Sequence, residues 1–222
     1  MLTLAVDTTA EFGSIALADE TGAVEEVLLH ETNGFSASLF GQIEALLQRR
    51  EIKLAQIDLF AGASGPGSFT GVRVGLAAIK GLAEVLQKPA AAISNLEALA
   101  SFGTAPKRAA IIDARRGEVY AALYDYSGRA IIDETVIRFP AFLSMLHDQD
   151  FAWVSTDFSP FASAILGTRF EHMPVITAPR ALAGAIAQIA RERLRTGEPC
   201  DPATIEANYV RRSDAELLWK IV

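Results

Sequence analysis

At 222 residues, half of them hydrophobic, the chain can form one large domain or two small lobes with a substantial core. No apolar run approaches the roughly 18 residues of a membrane span, and the single cysteine, Cys200, excludes an internal disulfide and fits a reducing cytosol. A net charge of −7 argues against nucleic-acid binding by this chain by itself, because such binding rests on neutralisation of phosphates by Lys and Arg. The start of the chain lacks the basic residues of a signal peptide, so we expect a cytoplasmic protein.

The first half of the chain reads as three strands followed by alternating helices and strands. Apolar runs bounded by turn residues predict the strands, and apolar residues at three- and four-residue spacing predict the helices. In chain order the predicted elements are strands over 4–7, 13–18 and 24–29, a helix over 38–48, a strand over 57–63, a helix over 72–86, a strand over 90–93 and a helix over 95–102 that Asn95 caps.

The second half repeats this order. Its predicted elements are strands over 110–113, 118–124 and 130–138, then a helix over 140–146, a strand over 152–155, a helix over 161–166, a strand over 175–176 and a helix over 181–195. An offset of 106 residues superimposes the two hairpins and places Asp7 on Asp113. The sequence therefore predicts an α/β protein built from two copies of one plan, with lobes at 1–104 and 105–198 and a tail at 199–222.

A glycine-rich turn follows the predicted strand over 57–63 and opens the helix behind it. Its residues are Gly65, Pro66, Gly67, Ser68, Phe69, Thr70 and Gly71. The turn matches neither a Walker A loop nor a dinucleotide loop, since Ser68-Phe69 stands where Lys-Ser/Thr is needed and Gly71 comes one residue late. Two interpretations remain open: a tight turn in which backbones approach closely, or a loop that cradles a phosphate.

Four segments together resemble one family. They are Ala5 to Thr9, Gly65 to Gly75, Ile112 to Tyr120, and Tyr209 to Arg212. The chain resembles, over essentially its whole length, the TsaB (YeaZ) family, the small bacterial subunit of the machinery that makes threonylcarbamoyladenosine in tRNA. With the internal repeat, the resemblance implies a duplicated actin-like fold, also called ribonuclease-H-like or ASKHA, with two lobes. Within the segment from Ile112 to Tyr120, the resemblance implies a structural or interface role for Asp113, Arg115 and Glu118.

The resemblance implies a subunit without catalytic activity of its own. Such a subunit dimerises with the TsaD-type transferase, is joined by a TsaE-type ATPase and meets tRNA only through the complex. ATP and metal would then belong to the partner subunits, and this chain would need no cofactor. A homodimer in the absence of TsaD is also open, and no membrane is involved.

The resemblance also implies where the TsaD subunit docks, namely on the helices over 38–48 and 72–86. Gly75 and Ala78 fit this role independently, because a glycine inside a helix costs about 1 kcal/mol and close approach of another helix is the usual compensation. The residues predicted for this surface are Leu39, Phe40, Ile43, Leu47, Arg73, Gly75, Ala78 and Ile79.

Two enzymatic functions are alternatives to the non-catalytic subunit. Asp7, Thr8 and Thr9 match the aspartate and hydroxyl pattern that holds a phosphate or metal in actin-like ATPases, so a stand-alone kinase or ATPase, or vestigial nucleotide binding, remains an alternative. A metallopeptidase is disfavoured, because His30, His147 and His172 lack the one-turn spacing that metal ligation on a helix needs. We therefore expect no metal site, and no nucleophile with an activating base stands out.

Overall fold

The computed structural model describes residues 1–147 and 150–210, which divide into two compact units. Unit 1 comprises residues 1–95 and 180–208. Unit 2 comprises residues 96–179 together with residues 209 and 210. Arg211, Arg212 and the remainder of the predicted tail lie outside the described residues. A bilayer crossing needs about 20 consecutive apolar residues, and none of the helices in the described ranges meets that requirement.

Unit 1 is built on a five-stranded sheet with the order β3-β2-β1-β4-β5. Its strands are β1 (Thr3–Asp7), β2 (Phe12–Asp19), β3 (Gly22–His30), β4 (Leu59–Gly65) and β5 (Ala90–Ser94). The first three strands pair antiparallel, and β4 and β5 extend the sheet in parallel from β1. The helices are α1 (Leu39–Arg49), α2 (Phe69–Leu86) and α6 (Ala183–Arg195), and a further helix, α3 (Asn95–Ala100), begins at Asn95 and continues into unit 2.

Unit 2 repeats this sheet, with the order β8-β7-β6-β9-β10 and the same antiparallel and parallel pairings. Its strands are β6 (Lys107–Asp113), β7 (Glu118–Asp125), β8 (Ala130–Arg138), β9 (Phe151–Ser155) and β10 (Val175–Thr177), and its helices are α4 (Phe139–Met145) and α5 (Ser159–Ile165). An aromatic core with Trp153 near its centre joins the sheet to these helices. The predicted duplicated actin-like fold is therefore confirmed.

The two faces of the unit 1 sheet are covered by different helices. Because side chains alternate along a strand, Ile15 and Leu17 point into the core that α1 and α2 share, while Ser14 points to the opposite face. There the Oγ of Ser14 accepts hydrogen bonds from the N–H groups of Leu182 (3.0 Å) and Ala183 (2.9 Å), at the start of α6.

Helix α6 thus belongs to unit 1, although chain order had assigned residues 181–195 to the second lobe. A carboxylate oxygen of Glu26 accepts from Gly184 N at 2.8 Å, which satisfies another first-turn N–H of this helix. Near its end, Arg193 donates to the carbonyl of Ala92 on β5. The boundary between the lobes therefore differs from the predicted one, since residues 180–208 return to the first sheet.

We expect Ser14→Ala to lower the free energy of unfolding by about 1–3 kcal/mol, because two buried N–H groups of α6 lose their acceptor. Chemical denaturation of the variant beside the wild type measures this. Ser36→Ala, at an exposed serine, is the control and should stay within about 0.5 kcal/mol. Equal effects of the two substitutions would contradict this account of how α6 is held.

Candidate functional site

The end of β1 carries a buried polar cluster. Asp7 is buried, and only 2% of the residue is exposed. One of its carboxylate oxygens accepts from the N–H (2.9 Å) and the hydroxyl (2.7 Å) of Thr9, and the other accepts from the amide of Asn95 (3.2 Å). Burial raises the pKa of Asp7, and the hydrogen bonds from Thr9 and Asn95 oppose that rise.

Asn95 links this cluster to the glycine-rich turn. Its amide nitrogen also donates to the Thr9 hydroxyl at 2.9 Å, and its amide oxygen accepts from Gly65 N at 3.1 Å. Asn95 is the first residue of α3. Because its side chain bonds to Thr9 and Gly65, it does not serve as the predicted helix cap. The cluster joins three segments that are far apart in sequence: the end of β1, the end of β4 and the start of α3.

The glycines of the turn and of α2 lie directly against the end of β1. A Cβ built on Gly71 would lie 2.0 Å from the carbonyl oxygen of Thr8, and one on Gly67 would lie 2.5 Å from that of Thr9. A Cβ on Gly75 would lie 2.5 Å from the Thr8 hydroxyl, which itself donates to the carbonyl of Gly71 at 2.7 Å. Of the two interpretations left open by the sequence, close backbone approach within unit 1 accounts for these three glycines.

Helix α2 begins at Phe69, three residues before its predicted start. The Oγ of Ser68 accepts from Gly71 N at 3.3 Å and caps the helix, and Ser68 N donates to the carbonyl of Thr9 at 2.6 Å. Ser68 and Thr70 are exposed. The turn is therefore a structural junction between α2 and β1.

The alternative nucleotide site consists of residues that already bond within unit 1. Asp7, Thr8 and Thr9 are all buried, and their side-chain polar groups already bond within unit 1. A pocket of about 470 Å³ opens beside Thr8 and Gly71, but Glu11 and Glu31 stand in its wall and no lysine or arginine among the described residues does. Such a wall repels a phosphate rather than attracting one.

The equivalent turn of unit 2 is built differently. Asp113 accepts from the N–H of Arg115 at 2.8 Å, and the Arg115 guanidinium lies 3.4 Å from the same carboxylate. The main chain of Glu118 closes the turn by accepting from Ala114 N at 3.1 Å. Asp113 and Arg115 therefore pair with one another within this turn.

Six of the eight residues predicted for the docking surface lie in the core instead. Gly75 faces Thr8, and the others pack under α1 and α2: Leu39, Ile43, Leu47, Ala78 and Ile79. The physical reason is that the apolar stripe of an amphipathic helix covers its own sheet first. Phe40, which is 57% exposed, and Arg73 remain on the surface.

The exposed side of α2 carries a stripe that the prediction noted only in part. Its members recur every four residues, which places them on one face of the helix. They are Phe69, Arg73, Ala77, Gly81 and Val85, here called the outer stripe. The Arg73 guanidinium lies 3.7 Å from the centre of the Phe69 ring. Of the outer stripe, the residues predicted for the docking surface included only Arg73, and the exposed Phe69 and Val85 at its ends were missed.

The structure places one histidine in unit 1 and two in unit 2. His30 stacks on Phe12, with ring centres 4.4 Å apart, and lies 2.7 Å from a carboxylate oxygen of Glu11. His147 and His172 are exposed in unit 2. Within residues 1–147 and 150–210, no group of three or more His, Cys, Asp or Glu side chains is placed to hold a metal ion.

Comparison with known proteins identifies the family. Residues 32–214 match the family model described as TsaD, tRNA N6-adenosine threonylcarbamoyltransferase. A tRNA threonylcarbamoyladenosine biosynthesis protein TsaB of Bacillus subtilis is 28% identical over 99% of this chain and 98% of its own length. The chain belongs to this family, as a member of its TsaB (YeaZ) group. The resemblance read from the four sequence segments is thereby confirmed.

Solved structures of the TsaB group agree with the fold. YeaZ of Pseudomonas aeruginosa is similar with a TM-score of 0.76 and 28% identity, over 94% of this chain and 99% of that one. A second structure is described as an uncharacterized protein with similarity to peptidase YEAZ from Pseudomonas aeruginosa. It reaches a TM-score of 0.80 at 28% identity and covers 95% of this chain and 99% of its own.

Proposed function

We propose that this chain is the non-catalytic partner of a TsaD-type transferase and supports threonylcarbamoylation of the adenosine beside the anticodon of tRNA. The observation that carries the proposal is the match to a TsaB over nearly the full length of both chains. The proposed place of action is the cytoplasm, and tRNA reaches the chain only through the complex. A TsaE-type ATPase is proposed as a further partner of this assembly.

The polar cluster at the end of β1 favours a supporting role over chemistry. A catalytic carboxylate must reach its substrate, whereas the Asp7 carboxylate is buried and bonded to Thr9 and Asn95. We propose that the chain uses no cofactor of its own and that ATP and metal belong to its partners. ATP turnover by the purified chain that disappears in Asp7→Ala would instead favour the stand-alone ATPase or kinase.

The proposed docking surface consists of Phe40 on α1 and the outer stripe of α2. Both helices cover the same face of the unit 1 sheet through one core. Phe40, Phe69 and Val85 are 57%, 42% and 83% exposed, which is unusual for such large apolar side chains. Along α2, Ala77 and Gly81 lie between Phe69 and Val85 and allow another helix to come close. Aromatic and arginine anchors around small residues are typical of protein interfaces.

We expect Phe40→Glu to weaken binding of a purified TsaD-type subunit about tenfold or more, because the change puts a charge into an apolar contact. The melting temperature of the chain should stay unchanged, because the side chain is exposed. Isothermal titration and thermal unfolding measure the two quantities.

Two further substitutions complete this experiment. Leu39→Ala, one residue away but buried, should lower the free energy of unfolding by about 2–5 kcal/mol. Leu166→Glu, at a 64% exposed position of unit 2, should change neither quantity. Full affinity of the Phe40→Glu chain for the TsaD-type subunit would contradict the proposed surface. In the absence of that subunit we propose that the same surface pairs two copies of this chain.

A further inference from the structure

A pocket of about 520 Å³ opens in unit 2 at the end of the sheet where β6 and β9 begin. Its wall is mainly apolar and consists of Leu123, Ile131, Ile132, Met145, Leu146 and Phe151. Ile131 and Met145 are 47% and 37% exposed, whereas Leu123, Leu146 and Phe151 are buried. The pocket therefore presents large apolar side chains to water at its mouth and continues into the core of unit 2.

Unit 1 is built differently at the equivalent place. The offset of 106 residues places Leu17 on Leu123, and the two strand pairings can be compared from there. Leu17 pairs with Glu25 across β2 and β3, whereas Leu123 pairs with Ile132 across β7 and β8. The Glu25 carboxylate forms an ion pair with Arg49, the last residue of α1, at 3.0 Å. Unit 1 thus ties its helix to its sheet with charges where unit 2 has an apolar wall.

The connection after the helix also differs between the units. In unit 1, residues 50–58 connect α1 to β4, and Ile52 and Leu54 from this connection pack against the core. In unit 2, α4 has seven residues where α1 has eleven, and the connection to β9 is shortened to residues 146–150. After Leu146 its sequence is His-Asp-Gln-Asp, which is entirely polar. This connection therefore offers no counterpart of Ile52 and Leu54 to cover the pocket.

We propose that the pocket binds a short apolar segment of another protein, with two aliphatic side chains separated by one residue, as Ile52 and Leu54 are. Such a segment covers the equivalent place in unit 1, and it would remove the apolar surface of Ile131 and Met145 from water. A small molecule fits less well, because its orientation is usually fixed by polar groups in the pocket wall. Here Lys107 already pairs with Asp150, at 2.9 Å.

The probe for this inference is a capped peptide with the sequence of residues 50–57, titrated into the whole chain. The methionines of the chain carry ¹³C-labelled methyl groups, and there are three of them: Met1, Met145 and Met173. Only Met145 lines the pocket. We expect the peptide to shift the Met145 methyl signal in a saturable way and to leave the signals of Met1 and Met173 in place.

Two comparisons assign the binding to the pocket. A peptide with serine in place of Ile52 and Leu54 should bind about tenfold more weakly or less, because the apolar anchors are lost. Ile131→Glu should weaken binding of the original peptide by a similar factor, because it puts a charge at the mouth of the pocket. The melting temperature should not change, because Ile131 is half exposed. Tyr126→Glu is the matched control, since Tyr126 is 78% exposed in unit 2 and does not line the pocket.

The inference is overturned if the peptide causes no saturable shift of Met145, or if the serine peptide binds equally well. An equal loss of binding in Tyr126→Glu and Ile131→Glu overturns it as well. Decanoate is titrated in parallel, and a Met145 shift with decanoate but not with the peptide would make the pocket a small-molecule site instead. If Ile131→Glu lowers the melting temperature, the comparison of the two peptides decides, because it leaves the chain unaltered.

Discussion

Gly71→Ala is expected to lower the free energy of unfolding by about 3 kcal/mol, at the upper end of the range for overpacked sites. The added methyl group would lie 2.0 Å from the carbonyl oxygen of Thr8, which is backbone and has no rotamer to change. Either β1 or the first turn of α2 must move, and the hydrogen bond from Thr8 to Gly71 would lengthen. Urea denaturation followed by circular dichroism measures the loss.

Gly81→Ala is the matched control on the same helix. A Cβ at this position meets no atom within 4 Å, so the change should stabilise the chain by up to about 1 kcal/mol through helix propensity. Similar effects of the two substitutions would mean that the glycines of α2 are not kept for contact with β1.

Asp7→Ala is expected to lower the free energy of unfolding by about 2–3 kcal/mol at neutral pH. The Thr9 N–H, the Thr9 hydroxyl and the Asn95 amide lose a buried acceptor, and each unsatisfied donor costs about 1–3 kcal/mol before the site relaxes. Asp113→Ala, at the equivalent position of unit 2, is the control. Its carboxylate is 31% exposed and bonds mainly to its own turn, so its removal should cost less than about 1 kcal/mol.

The effect of Asp7→Ala should depend on pH. Burial raises the pKa of Asp7 in the folded chain above the ordinary value of about 3.9, so the folded state binds this proton more tightly than the unfolded state. The stability that Asp7 contributes is therefore complete below that value and declines as the pH rises through the raised pKa. The difference in unfolding free energy between wild type and Asp7→Ala should shrink from pH 4 upward, and a difference that grows instead would contradict the direction of the shift.

The secondary structure and the duplication could be predicted because both depend on local patterns. Alternating apolar residues and glycine turns locate the strands, and the offset that places Asp7 on Asp113 reveals two copies. The glycine-rich turn was recognised in the same way. Its packing against the end of β1 could not be predicted, because the contact between Gly71 and Thr8 joins residues 63 positions apart and leaves no local signal.

The docking surface shows a different limit of sequence reasoning. Periodicity identifies an apolar helix face but does not tell whether a sheet or a partner covers it, so buried residues such as Ile43 and Ile79 were predicted for the interface. The four-residue spacing from Phe69 to Val85 was present in the sequence and could have located the outer stripe. The packing of α6 on the unit 1 sheet had no such signal in the sequence. Its first turn is held by Ser14 and Glu26, which lie more than 150 residues earlier.

The return of residues 180–208 to unit 1 sets an order for folding during translation. Residues 96–179 of unit 2 are one uninterrupted stretch, so its sheet can close as soon as that stretch has left the ribosome. The sheet of unit 1 emerges first, but the face that carries Ser14 stays uncovered until α6 follows about 100 residues later. At about 5–20 residues per second, that delay is roughly 5–20 s. The sheet of the N-terminal unit is therefore the last to be covered, and its bare face is the surface that a nascent-chain chaperone would meet.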